Sequence, residues 1–316
     1  MSMPLITIGI TCHSEGDWLL ECWESVLAQT DDRWVAVLVM DGTEDNRTRE
    51  IFEHLEHPKL LKYALPKNMG PYPTRNKAFE LTETPFHFYL DGDDQLFPQS
   101  VALVLRTFTE HPEAAFVYGD YECFGSHEEV WRFPWESADD DLVERQATPG
   151  PCAYKRQVWE HLGGFTDELA WGNGDYDFLI GAAEAGLKGY HCGDLFYRYR
   201  LGHTSKVSSS YGRRYHQTHE IIIRRHPKFF KEKQRRGRFL ALGYKQSAYS
   251  NYVAGEVNQA WKFTKAAIRH GMWSDQQLWS LILRIALPRW GFNALRSTWR
   301  SRLNIWRQLR KGKVST

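Results

Sequence analysis

The chain has 316 residues, 42% of them hydrophobic and 25% charged, with 13 Trp and a formal net charge of +1. This globular composition excludes a disordered chain and a disulfide-stapled miniprotein, and no run of about 18 apolar residues offers a membrane span. At this length a catalytic domain of roughly 200 residues leaves room for an appendage.

In chain order, residues 5–10 read as a buried strand, 18–29 as a helix, 34–39 as a second strand and 47–55 as a second helix. Further strands are expected at 60–64 and 86–90, with a helix over 73–81 between them. This β-α-β-α alternation with short connections predicts an α/β fold whose sheet is mostly parallel and sandwiched by helices. In such sheets ligands bind beyond the carboxyl ends of the strands. The polar clusters that follow strands, HSEGD at 13–17, DGTED at 41–45 and DGDD at 91–94, should therefore converge on one edge. From about Tyr211 the texture changes to helices without strands. Residues 238–252 and 256–270 have the size of a helical hairpin turning at Gly255, and 276–287 is apolar but broken by Arg284 and Pro288. From Phe292 onward, Leu295, Trp299, Leu303 and Trp306 recur at helical spacing among arginines. The expected division is an α/β domain over 1–210 and an all-α region over 211–316.

The net charge conceals a split. Through Thr204, 16 Lys and Arg face 35 Asp and Glu, whereas beyond it 24 face 4. The acidic front half is unsuited to nucleic acid, so no nucleic-acid partner is expected. The basic tail, with Trp273, Trp279, Trp290, Trp299 and Trp306, suits the anionic surface of a membrane leaflet. Packing of those Trp on the catalytic domain is the alternative. Residues 1–15 lack a basic n-region and a cleavage site, so they read as part of the fold and the expected location is cytoplasmic, peripheral on the inner membrane face. Five cysteines without a Cys-x-x-Cys pair fit reduced thiols and give no metal framework.

Asp91-Gly92-Asp93-Asp94 follows the apolar run HFYL directly, so its carboxylates emerge at a strand end. Residues two apart on an extended segment point to one side, so Asp91 and Asp93 can share a ligand. Hard oxygen ligands beside a diphosphate suit magnesium or manganese. A plain Asp-rich turn is the competing reading. The acidic run 139–141 reads as a solvated loop or a helix start, and glycine-rich phosphate motifs and His-Glu-x-x-His are absent.

Several separated segments, in order, carry a resemblance: ITCHSEGDWLLECWESVLAQT, VLVMDGTED, NMGPYPTRNKA, FYLDGDD, and GGFTDEL followed by GNGDYDF. Together they resemble the inverting glycosyltransferases of family 2, with the GT-A fold, over roughly residues 5–208. The resemblance implies a nucleotide-sugar donor, a UDP-sugar, a divalent metal, and a glycan or lipid-linked acceptor such as those of bacterial surface polysaccharides. It implies that Asp91 and Asp93 handle the donor ribose and the metal on its diphosphate, and that His203 completes the metal shell. It further implies that Arg75 and Asn76 flank the donor, that Asp41 lies near the nucleotide base, and that Asp175 is the general base. Asp177, two residues on, is the weaker candidate for base, since such residues are commonly caps. Trp171 is a candidate to stack on the acceptor sugar.

Departures from the family pattern are Met40 for the first Asp of the usual Asp-Asp-Gly-Ser, Gly174 for the usual Glu before the base, and Thr11 and Ser14 for Pro and Asn. Met40 and Gly174 are the features that favour a different class, a catalytically idle sugar- or nucleotide-binding scaffold. The Asp-x-Asp pair and the base are retained, so an active enzyme is the preferred expectation.

Overall fold

The computed structural model describes residues 3–135, 142–143, 150–202 and 211–286. Among the described residues the strands are β1 (Ile6–Cys12), β2 (Trp34–Asp41), β3 (Leu60–Leu65), β4 (Phe86–Asp91), β5 (Gln95–Leu96), β6 (Phe116–Gly125), β7 (Glu129–Trp131), β8 (Ala153–Lys155) and β9 (Gly189–Leu201). They form one sheet in the order β3-β2-β1-β4-β8-β6-β9-β5, with β7 on β6. The first four run parallel, β8 is antiparallel to both β4 and β6, β9 is parallel to β6, and β5 is antiparallel to β9. The α/β expectation holds, with a mixed second half.

β1 is buried at every position, ITIGITC, as a parallel strand covered on both faces must be. Helix α1 (Trp18–Leu27) turns Leu19, Cys22, Trp23 and Val26 to the core at three- and four-residue spacing. Helix α2 (Asn46–His54) starts at Asp45, whose carboxylate accepts from the Thr48 N–H at 2.7 Å, a cap contributing about 1 kcal/mol. Helix α3 (Pro71–Glu80) lies close on β1: a Cβ at Gly9 would stand 2.9 Å from that of Ala78. Among the described residues the sheet region also carries α4 (Ser100–Glu110), α5 (Arg156–Leu162) and α6 (Gly174–Glu184). Register places Cys12 opposite Met40 and Thr11 opposite Asp91, so the carboxyl ends of β1, β2 and β4 are level. All five cysteines are buried thiols.

The chain forms two compact units, one of residues 1–211 and 218–236, the other of 212–217 and 237–316. Residues 218–236 group with the sheet. The reason lies in helix α7 (Tyr215–Arg225), where Thr218 accepts from Asn173, and Arg225 with the following His226 contacts Asp177 on α6. The second unit contains α8 (Lys233–Val253) from Gly237 onward, α9 (Val257–Arg269) and α10 (Gln276–Ala286), with Gly255 in the left-handed conformation at the α8–α9 turn. Its packing includes His216 against Phe263 and the Lys245–Asp275 ion pair at 2.7 Å. Trp273 and Trp279 are exposed, whereas Trp290, Trp299 and Trp306 lie outside the described residues, as does the acidic run 139–141. Among the described residues no helix is long and apolar enough to cross a membrane.

One buried group makes the fold sensitive to acid. His87 on β4 stacks on Phe79 at 4.1 Å and accepts from Arg156 at 3.1 Å; burial, then the Arg156 charge, push its pKa from 6.5 down to about 3. Between those values the unfolded chain binds a proton that the folded chain refuses, so stability present above pH 6.5 is lost as pH falls toward 3. His87→Phe is expected to flatten this decline, read as urea midpoints at pH 7 and pH 4. Parallel losses in variant and wild type would contradict the assignment.

Candidate active site

The level strand ends bring Asp41, Asp91 and the 13–17 cluster to one edge, as expected, and α3 sets its first turns across them. Asp41 is 5% exposed, and its two oxygens accept from the Met69 and Gly70 N–H groups at 2.7 and 2.9 Å. It thereby anchors the loop leading into α3, and burial raises its pKa despite those bonds. His13 joins the same loop, with Nδ1 2.8 Å from the Asp41 carbonyl and Nε2 3.1 Å from Asn68. Met40, in the place of the expected first Asp, packs in the core.

Asp91 ends β4. Arg75 Nη2 donates to both of its oxygens at 2.7 and 2.8 Å, and Thr11 Oγ1 donates to Oδ1 at 3.1 Å. The Arg75 guanidinium is held between the Tyr89 and Tyr72 rings, 4.0 and 4.9 Å from their centroids. Arg75 Nε and Tyr89 Oη are buried and have no hydrogen-bond partner among the described residues. Asn76, expected beside the donor, ties α3 to α5 and the segment after it. Its Oδ1 accepts from Trp159 Nε1 and the Phe165 N–H at 3.1 and 2.9 Å, and its Nδ2 donates to the Phe165 carbonyl at 2.8 Å.

Asp93 is half-buried at the turn after β4, and its carbonyl accepts from Arg200 Nε at 2.7 Å. Asp94, the last residue of the same motif, is buried. It accepts from Tyr197 Oη at 2.9 Å and from the Arg200 N–H at 2.7 Å, and its pKa is raised by burial and by Asp93 and Asp91. Glu15 completes the acidic group. Its carboxylate caps the His13 N–H at 2.5 Å, and burial, with Asp93 adding, lifts its pKa to about 7. Its place in the HSEGD cluster was the available signal.

Asp175 opens α6. Its Oδ1 accepts from Tyr72 Oη and from the Tyr176 N–H, both at 2.8 Å, while a Cβ at Gly150 would fall 2.2 Å from Oδ2. Gly174 is explained by the same neighbour, because a Cβ there would stand 2.6–2.8 Å from the Tyr72 ring. Asp177 is 3% exposed and committed to Arg225 at 3.0 Å and His226 at 2.9 Å, which makes it a structural carboxylate. Trp171 is 45% exposed beside Gly70. Tyr72 was missed, although it stands one helical turn before Arg75 in NMGPYPTRN.

Among the described residues no three His, Cys, Asp or Glu side chains group to enclose a metal, and His203 lies outside them. The donor chemistry nevertheless fits a hard divalent ion that takes one or two carboxylates and completes its shell with phosphate oxygens and water. Asp93 has Glu15 and Asp94 as neighbours, whose pKa values are raised first by burial and then by the Asp93 charge. A cation at Asp93 would offset that smaller, electrostatic part.

Residues 7–176 match the family model described as Glycosyl transferase family 2. Among curated relatives, a teichoic acid poly(glycerol phosphate) polymerase of Staphylococcus epidermidis is 29% identical over 108 residues, 34% of this chain and 15% of that protein. Chondroitin synthase of Escherichia coli is 30% identical over 116 residues, 37% of this chain and 17% of its own. The chain thus spans a small part of the length of these relatives. The crystal structure of S. aureus TarS 1-349 in complex with UDP-GlcNAc superposes with a TM-score of 0.64 at 16% identity, covering 83% of this chain and 81% of that one. At that identity the likeness shows the fold alone.

Proposed function

The chain belongs to glycosyl transferase family 2, and from that membership we propose that it is a metal-dependent, inverting glycosyltransferase of the GT-A type. What supports the reading is that a single helix, α3, carries both Arg75, which binds Asp91, and Tyr72, which binds Asp175. The donor diphosphate lies at Asp91 and Asp93, and the acceptor hydroxyl at Asp175. The acceptor oxygen bonds to the anomeric carbon from the side opposite the diphosphate, the carbon–oxygen bond to the diphosphate breaks, and the nucleoside diphosphate leaves with the electron pair. Asp175 takes the acceptor proton. Positive charge developing on the sugar ring is stabilised by the surrounding carboxylates. Magnesium or manganese on Asp93, with His203 as a further ligand, would act as a Lewis acid on the leaving diphosphate.

UDP is the proposed nucleotide because a fold neighbour binds UDP-GlcNAc, and a bacterial surface or lipid-linked glycan is the proposed acceptor by likeness to the polymerase and the synthase. Trp171 offers an exposed ring for the acceptor sugar. Asp41 meets the nucleotide base from the loop it anchors, and the Asn76 contacts with Trp159 and Phe165 hold α3 on the donor side. The basic tail attaches the protein to the anionic inner leaflet. A panel of UDP-sugars assayed for UDP release, with manganese and then with EDTA, tests the function. Manganese-dependent release from one or two donors is expected, and UDP binding without release from any donor would favour the idle scaffold.

A further inference from the structure

We propose that Tyr72 is a positioning residue for the base, its hydroxyl fixing the Asp175 carboxylate so that Oδ2 is the oxygen that takes the acceptor proton. The inference rests on the assignment of Asp175 as base.

Three features of the geometry support it. Oδ1 of Asp175 already accepts two hydrogen bonds, from Tyr72 Oη and from the Tyr176 N–H, both at 2.8 Å. Those two bonds lock the plane of the carboxylate, and Oδ2 is left on the side of Gly150, where only the missing side chain of a glycine leaves room for it. The phenol is itself held in place: it is 5% exposed, its ring lies on the bare backbone of Gly174, and the Arg75 guanidinium is 4.9 Å from its ring centroid. Burial, and then the Asp175 charge, raise the Tyr72 pKa well above its ordinary value, so the hydroxyl stays a donor throughout the neutral range. Because Tyr72 and Arg75 are one turn apart on one helix, the base and the donor-side Asp91 are set relative to each other by a single rigid element. A base displaced by about 1 Å costs on the order of 10²-fold in rate. That gives a buried tyrosine hydroxyl here a catalytic consequence beyond packing.

Tyr72→Phe removes the hydroxyl and keeps the ring on Gly174 and beside Arg75. With UDP-GlcNAc as probe donor in manganese, it is expected to lower kcat for UDP release roughly 10- to 100-fold while the Kd for UDP stays unchanged. In an Asp175→Asn background the same change should cost nothing further, because the group it positions is gone. Wild-type kcat in Tyr72→Phe, or an equal loss in both backgrounds, would overturn the proposal. So would a crystal structure of Tyr72→Phe in which the carboxylate keeps its position. Full activity of Asp175→Asn would overturn the base assignment instead, a result separable from failure of the Tyr72 variant alone.

Discussion

Asp175→Asn is expected to lower turnover of a UDP-sugar by ~10²-fold or more while UDP binds with wild-type affinity. The substitution is nearly isosteric, and an amide oxygen still accepts from Tyr72 and from the Tyr176 N–H, so the loop before α6 should hold its shape. What is lost is the capacity to take a proton. Rapid-quench turnover paired with calorimetric UDP titration separates the two quantities. Loss of UDP affinity with chemistry intact would contradict the role. Asp177 is then a poor substitute, since its carboxylate is already spent on Arg225 and His226, and Asp177→Asn should act on stability first.

Asp93→Ala should abolish manganese-dependent turnover and weaken UDP-sugar binding in manganese, while binding of UDP in EDTA changes little. Its side chain is half-buried at the turn, and the Arg200 contact is to its backbone carbonyl, which alanine retains. Removing the charge also relieves Glu15 and Asp94, whose pKa values Asp93 helps to raise. Near-normal activity in manganese would show that the metal is held elsewhere.

Much of the first half of the sheet was legible in the sequence because its signals are local. β1, β2 and β4 are apolar runs ended by polar clusters, and their parallel register follows from helices of ordinary length between them. β6 and β9 were missed because each carries charge inside the strand. Asp120 in β6 looks like a turn residue until His191 in β9 and Arg132 are seen to satisfy it at 3.0 and 2.8 Å, partners far from or outside its own strand. β8 is three residues long and makes sense only between β4 and β6.

At the site, the sequence separated residues by type, and type does not distinguish a reacting carboxylate from a supporting one. Asp91 and Asp94 lie three apart in one motif. Asp91 faces Arg75 and stays 29% exposed, whereas Asp94 is closed in by Tyr197 and the Arg200 N–H. Asn76, expected beside the donor, also pins α3 to Phe165, through contacts 89 positions away in sequence that no local pattern announces. In the sequence Gly174 is a feature that favours an idle scaffold. The ring of Tyr72, more than 100 positions earlier, fills the space its side chain would need.

The inverting displacement is tested most directly by the configuration of the first sugar released. Proton NMR recorded within the first minutes of hydrolysis of a UDP-α-sugar, before mutarotation, resolves the two anomers. The β anomer should appear first, since water bonds to the anomeric carbon opposite the departing diphosphate with Asp175 taking its proton. Initial release of the α anomer would contradict the proposed chemistry.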